Sequence, residues 1–382
     1  MTGKLENTLK DWKGKYTDWL FNTALPMWWQ NGADHVQGGF HELLDLKGNP
    51  VIVPRRARVQ GRQSYAYAVA GVLGWDGPWQ EASLHGLAYL DAHYKQPSGL
   101  YATLTSPDGQ ITDSREMLYD QAFALNASAW IYRAQPERKD MIDYANALMA
   151  KIETRRHPAG GYKETGDLFL SNPHMHLFEA LLAWYEASND QKWFDLAGEI
   201  ARLCLTRFID PDTLTLHEHF DEKWALAEDA KGEIIEPGHQ FEWAWLLARW
   251  SKISGRMDAY QMARRLFEVG ASGVDKVRGV AVDEMDNSFN FTRPTSRLWM
   301  QTEWLKAALI LSDADSEDER SYYLGEAGLA AATLWKYLDT PVRGLWRDRM
   351  QPDNSFDEEA APASSLYHII CAIQSLRDAI KG

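Results

Sequence analysis

Apolar residues recur at helical spacing along most of this chain, and the helical stretches come in pairs. Leu9, Trp12, Tyr16, Trp19 and Leu20 mark a first helix over 8–30 that stops near Pro26. Pairs are then predicted over 63–74 with 79–95, 116–134 with 137–156, 176–188 with 191–208, 239–254 with 257–273 and 297–312 with 320–338, and a last helix over 364–380. Between the pairs lie short glycine and aromatic pieces that read as hairpins: Gly38-Gly39-Phe40-His41, Ser98-Gly99-Leu100-Tyr101, Gly160-Gly161-Tyr162-Lys163 and Gly344-Leu345-Trp346-Arg347. Weaker versions occur at 212–218 and 279–283. A spacing of roughly 50–65 residues marks an internal repeat.

Each helical pair can bury its apolar faces only against its neighbours, and the last helix pairs with the first. The expected architecture is therefore all-α: an (α/α)6 barrel of six helical hairpins with short β-hairpins at one rim, forming one catalytic domain over 1–382.

Apolar residues make up 45% of the chain, enough for a large core. A formal net charge of -14 argues against nucleic acid or an anionic membrane surface as partner, since both select basic patches. No apolar run reaches membrane-spanning length and the start lacks a secretory segment, so a soluble, cytoplasmic protein is expected. Cys204 and Cys371 lie in apolar helical patterns and read as buried thiols. Trp and Tyr number 17 and 16, more than a core needs, and such residues commonly form apolar platforms in sugar-binding clefts.

If every unit starts its inner helix at the same rim, polar residues one repeat apart converge there: Arg62-Gln63, Asp120-Gln121, His176, His239, Gln301-Thr302-Glu303 and His368. Helix capping alone favours Ser, Thr, Asp and Asn, whereas three histidines and an arginine suit a central site. His239 has Glu242 three residues on, and His176 has Glu179 in the same register, the reach at which a carboxylate fixes an imidazole tautomer. His174 with His176, and His217 with His219, have the spacing of metal ligands on extended chain. Residues two apart diverge on a helix, which separates His174 from His176. His217 and His219 sit in the hairpin piece with Glu218 and read as rim or solvated residues, so no metal site is assigned. No glycine-rich loop leads into a helix with a following Lys, which points to an unphosphorylated sugar.

In this order, Val59-Gln60-Gly61-Arg62-Gln63, Tyr119-Asp120-Gln121-Ala122-Phe123, Asn172-Pro173-His174-Met175-His176-Leu177-Phe178-Glu179, Glu236-Pro237-Gly238-His239-Gln240-Phe241-Glu242-Trp243, Arg297-Leu298-Trp299-Met300-Gln301-Thr302-Glu303 and Tyr367-His368 resemble the N-acylglucosamine 2-epimerase family. The resemblance spans about 38–370. It implies an (α/α)6 barrel and a sugar isomerase or epimerase, with His239 and His368 as the acid/base pair, Glu242 orienting His239, Arg62 on the oxygens at C1 and C2, and His176 assisting ring opening. Asp120, Gln121, Glu179, Gln301 and Glu303 are expected to contact substrate, with Trp299 and Trp346 as aromatic walls. Met300 departs from the proline of many members. The chemistry needs no cofactor or metal: a base removes the proton alpha to an open-chain aldehyde, leaving a cis-enediolate that returns as ketose or epimer. The expected activity is aldose–ketose isomerisation of a free hexose, D-mannose to D-fructose, by a monomer or homodimer. A sugar 2-epimerase is the alternative.

Overall fold

The computed structural model describes residues 2–165 and 169–381. Twelve long helices run along this part of the chain: α1 (Thr2–Trp19), α2 (Ala57–Val72), α3 (Trp79–His93), α4 (Leu118–Ala134), α5 (Asp140–Glu153), α6 (Ser171–Ser188), α7 (Gln191–Leu203), α8 (Pro237–Ser254), α9 (Met257–Ser272), α10 (Leu298–Leu311), α11 (Glu317–Leu338) and α12 (Ser365–Ala379). The even-numbered helices, α2, α4, α6, α8, α10 and α12, form an inner ring, closed where α12 packs on α2. The odd-numbered helices form the outer layer, and α1 lies against α11 and α12. This is the (α/α)6 barrel the periodicity predicts.

Side-chain burial separates the layers. Residues 59–70 of α2 are buried without interruption, as are 173–184 of α6, because an inner helix meets protein on every side. Outer α7 buries Trp193, Ala197, Ile200 and Ala201 on one stripe and exposes the opposite face. The first helix is a correction. Beyond Trp19 the helical backbone widens into π-type turns over Leu20–Ala24 and Trp28–Gly32, with a short α-helical turn between them, and passes Pro26 instead of stopping there. Pro26 occupies the opening of that turn, where its missing N–H costs little.

The sixth predicted hairpin piece has a parallel bridge, Arg343 with Leu345, whereas the other five form antiparallel β-bridges at equivalent points: Ala33 with Phe40, Lys95 with Tyr101, Arg156 with Tyr162, Ile209 with Leu216, and Val274 with Ala281. Inner-helix side chains hold them. Gln60 accepts from the Phe40 N–H and donates to its C=O. Gln121 does so with Tyr101, Gln240 with Leu216 and Gln301 with Ala281. In the third unit His174 accepts from the Tyr162 N–H instead. Gly39 has φ +71°, and a Cβ there would lie 2.6 Å from the Tyr89 ring, so a side chain is excluded beside the Gln60 clamp.

Two-residue strands lace neighbouring units together. Arg55–Arg56 pairs with Leu104–Thr105, Phe169–Leu170 with His219–Phe220, Ser296–Arg297 with Arg349–Met350, and Ala361–Pro362 with Leu43–Leu44. Each of these leads into an inner helix, so the lacing fixes where that helix begins.

Candidate active site

The first turns of all six inner helices converge on a cavity of about 350 Å³. They supply Arg62 from α2, Tyr119 from α4, Asn172 and His176 from α6, His239 and Glu242 from α8, Trp299 from α10, and Ser365 and His368 from α12. A larger cavity, about 410 Å³, lies among the C-terminal ends of the same helices. Its charges are largely paired with one another: Glu186 with Arg133 and Arg249, Lys252 with Asp313. The N-terminal cavity holds the groups with chemistry to spare.

His239 and His368 flank Trp299, with ring centroids 5.0 and 5.7 Å from the indole. Gly238 makes room for that indole, since a Cβ there would stand 2.6 Å from it. Each imidazole has Nδ1 on a buried carboxylate, His239 on Glu218 and His368 on Glu303, both at 2.8 Å. This geometry places the proton of the neutral ring on Nδ1 and leaves Nε2 for chemistry.

The two environments push in opposite directions. Burial alone would lower the His239 pKa, but the charges of Glu218 and Glu236 and the Glu218 hydrogen bond outweigh it and raise the pKa to about 10. Burial lowers His368 well below the usual histidine range, reinforced by the charges of Arg62 and Lys306. At neutral pH His239 is an imidazolium and His368 a neutral base. Separated pKa values of this kind divide acid and base roles between like residues.

His176 is also neutral, because burial, helped by Arg62, lowers its pKa to about 4 against the pull of Glu179. Its Nδ1 stands 3.8 Å from Glu179 and 3.9 Å from Glu242, without a hydrogen bond to either. Arg62 donates to the Tyr119 hydroxyl at 2.6 Å, and its guanidinium lies over the Phe123, Tyr367 and Tyr119 rings. Among the described residues no carboxylate pairs with it, so its charge is held by aromatic faces and remains available to an oxyanion.

Beneath the histidines lies a layer of buried ionisable groups. Glu303 is 2.5 Å from the Lys306 ammonium, Glu179 accepts from the Tyr367 hydroxyl, and both oxygens of Glu242 are buried without a hydrogen bond. His176, Glu179 and Glu242, and again Glu242, Glu303 and His368, bring ligand-type atoms within 4.8 Å of one another. Lys306 already supplies a cation beside Glu303, and burial with the Glu303 charge favours the neutral acid of Glu242. That donor set suits a compensated network better than a divalent ion.

The N-acylglucosamine 2-epimerase family model matches residues 38–372. The chain belongs to this family. It is an enzyme of the sugar isomerase/epimerase type. A mannose-6-phosphate isomerase of Rhizobium meliloti (strain 1021) is 48% identical over 376 residues, covering 96% of this chain and 97% of the relative. A D-mannose isomerase of Thermobifida fusca is 27% identical, covering 84% and 83%. Among solved structures, a cellobiose 2-epimerase from Spirochaeta thermophila superposes with a TM-score of 0.87 at 20% identity, covering 98% of both chains.

Of the residues singled out from sequence, this family member brings Arg62, His176, His239, Glu242, His368 and Trp299 to one cavity. Glu242 does not hydrogen-bond His239. Glu218, from the hairpin before α8, takes that place, and Glu242 lies nearer His176. Glu179 and Glu303 sit behind the cavity wall rather than on it. Four residues are placed elsewhere. Gln121 and Gln301 are spent on hairpin backbone, and Asp120 accepts from Arg58 and from the Thr103 hydroxyl. Trp346 is buried, stacked on Trp28 at 4.5 Å with its N–H on the Pro362 carbonyl.

Sequence reasoning missed Glu218, Arg56, Arg349 and Asp348, and passed over Tyr119, Asn172, Glu236 and Arg297 although they stand in the motifs. Glu218 had a signal: it lies between His217 and His219. His217 itself bonds the Gly232 carbonyl and Thr215, which accounts for its burial without a metal.

Proposed function

We propose that this enzyme interconverts D-mannose and D-fructose configurations at C1 and C2 by proton transfer through a cis-enediolate, with no metal in the reaction. The observation that carries the reading is the pair of Nδ1-anchored histidines on either side of Trp299, one held among carboxylates and the other facing Arg62 and Lys306. His368 Nε2 removes the C2 proton, and the electrons of that C–H bond form the C1–C2 double bond. His239 Nε2–H protonates the aldehyde oxygen as its charge develops, with Arg62 stabilising the negative charge on O1 and O2. His239 then recovers a proton from the C2 hydroxyl while His368, whose Nε2 proton exchanges with solvent in the intermediate, delivers one to C1, giving the ketose with no net redox change. His176, neutral and close to Glu242, is suited to opening the pyranose ring beforehand.

Both curated relatives carry mannose isomerisation in their names, which supports the isomerase outcome over epimerisation. The test is proton NMR of the enzyme in deuterated buffer with EDTA, following mannose and mannose 6-phosphate. The expected result is a ketose product carrying deuterium at C1 and loss of turnover in His239→Gln and His368→Gln with helix content intact. A C2 epimer formed first would replace the isomerase with an epimerase, and full turnover in either variant would remove the histidine mechanism.

A further inference from the structure

The cavity has a depth gradient of charge. At its floor His239 and His368 are 8% and 7% exposed. At its mouth stand Arg349, Arg56 and Arg297, at 41%, 35% and 27%. A basic mouth on a chain of formal net charge -14 is a local feature that bulk composition does not predict.

The three arginines are not equivalently occupied. Arg56 grips Glu42 with two nitrogens, at 2.8 and 2.7 Å. Arg297 reaches Asp283 at 3.2 Å and Glu236 at 3.5 Å. Among the described residues Arg349 pairs only with Asp357, at 3.9 Å, and its Nε is buried without a hydrogen bond. Moreover, Arg297 and Arg349 are direct partners in the antiparallel strand pair that leads into α10. Like charges facing each other across strands cost stability. Asp348 and Glu236 share that wall, but Glu236 also faces His239, its carboxylate 3.7 Å from the imidazole, and so is divided between the arginine and the histidine.

We propose that Arg349, with Arg297 across the strand pair, is an anion subsite that holds a phosphate on C6 of the sugar, making a hexose 6-phosphate the preferred substrate. The reasoning rests on the isomerase reading in one respect: C1 and C2 lie at the histidine floor, so C6 points to the mouth. Arginine forks match phosphate oxygens without a glycine-rich loop, so the lack of such a loop does not weigh against a phosphorylated sugar.

The test needs no turnover. D-mannitol and D-mannitol 6-phosphate lack a carbonyl, and calorimetric titration compares them directly on the wild-type enzyme, Arg349→Ala and Arg349→Lys. The phosphate should tighten binding about tenfold to a hundredfold. That advantage should vanish in Arg349→Ala and persist in part in Arg349→Lys, which keeps the charge and loses the fork. Equal binding of the two polyols by the wild-type enzyme, or an advantage undiminished in Arg349→Ala, overturns the subsite. So does tighter binding of a hexitol bearing a 6-sulfonate, which would point to a monoanion instead. A phosphate advantage without isomerisation of mannose or mannose 6-phosphate upholds the subsite and removes the isomerase reading.

Discussion

His239 and His368 share a partner geometry and differ in what surrounds it. Glu218 and Glu236 are the negative groups around His239, whereas Arg62 and Lys306 bear on His368. The active protonation state, charged His239 with neutral His368, thus extends upward in pH to about 10. Removing the Glu218 charge lowers the His239 pKa, so Glu218→Gln should move the alkaline limb of kcat/KM to lower pH. An unmoved limb in a pH–rate profile would exclude Glu218 as the group that charges His239. Lys306 belongs to the same network. Its ammonium is fully buried beside Glu303, and removing one partner of a buried pair leaves an uncompensated charge. Lys306→Met should cost about 3–5 kcal/mol of stability at neutral pH. Glu303 already has a raised pKa, from burial first, and losing Lys306 raises it further. The penalty should therefore shrink as pH falls and the carboxyl protonates, measured as urea midpoints at two pH values.

At the scale of the element, the inner helices carry two sets of polar side chains that look alike in sequence. One set faces the cavity, and the other, Gln60, Gln121, Gln240 and Gln301, clamps the hairpins. Both fall at helix starts one repeat apart, so periodicity alone could not separate Gln301 from His239. Gln301→Ala strands the buried N–H of Ala281, while the Ala281 C=O keeps the Ser296 hydroxyl, which should cost about 1–3 kcal/mol in denaturant unfolding. A higher KM with unchanged stability would instead make Gln301 a substrate contact. The twelve helices were legible because their apolar periods run for several turns. The lacing strands were not, since two residues have no period, and with them went the pairing that sets Arg297 opposite Arg349. Glu218 escaped for a related reason. It stands 21 residues before His239, and only the fold of the hairpin brings them together.

At the scale of the whole molecule, the barrel sorts its chemistry by end. Inner helices point their first turns at the cavity and their last turns at the opposite face. No helix among the described residues is long and apolar enough to cross a membrane. The seam where the first and last helices complete the ring is held by Tyr16 on the Ala331 carbonyl and Lys13 on the Ile380 carbonyl. Thr2, eleven residues before Lys13 and about 16 Å along the helix, meets Ser321 at the start of α11. Both ends of the described chain therefore lie on the face away from the mouth. In topological terms the described barrel is close to a cycle. A circular permutant with its old ends joined by a flexible linker and new ends opened at the exposed turn between Gly255 and Arg256 should keep its helix content and its exchange of sugar protons with solvent. Loss of both would show that the seam between α1 and α12 is a place where the ring must be open.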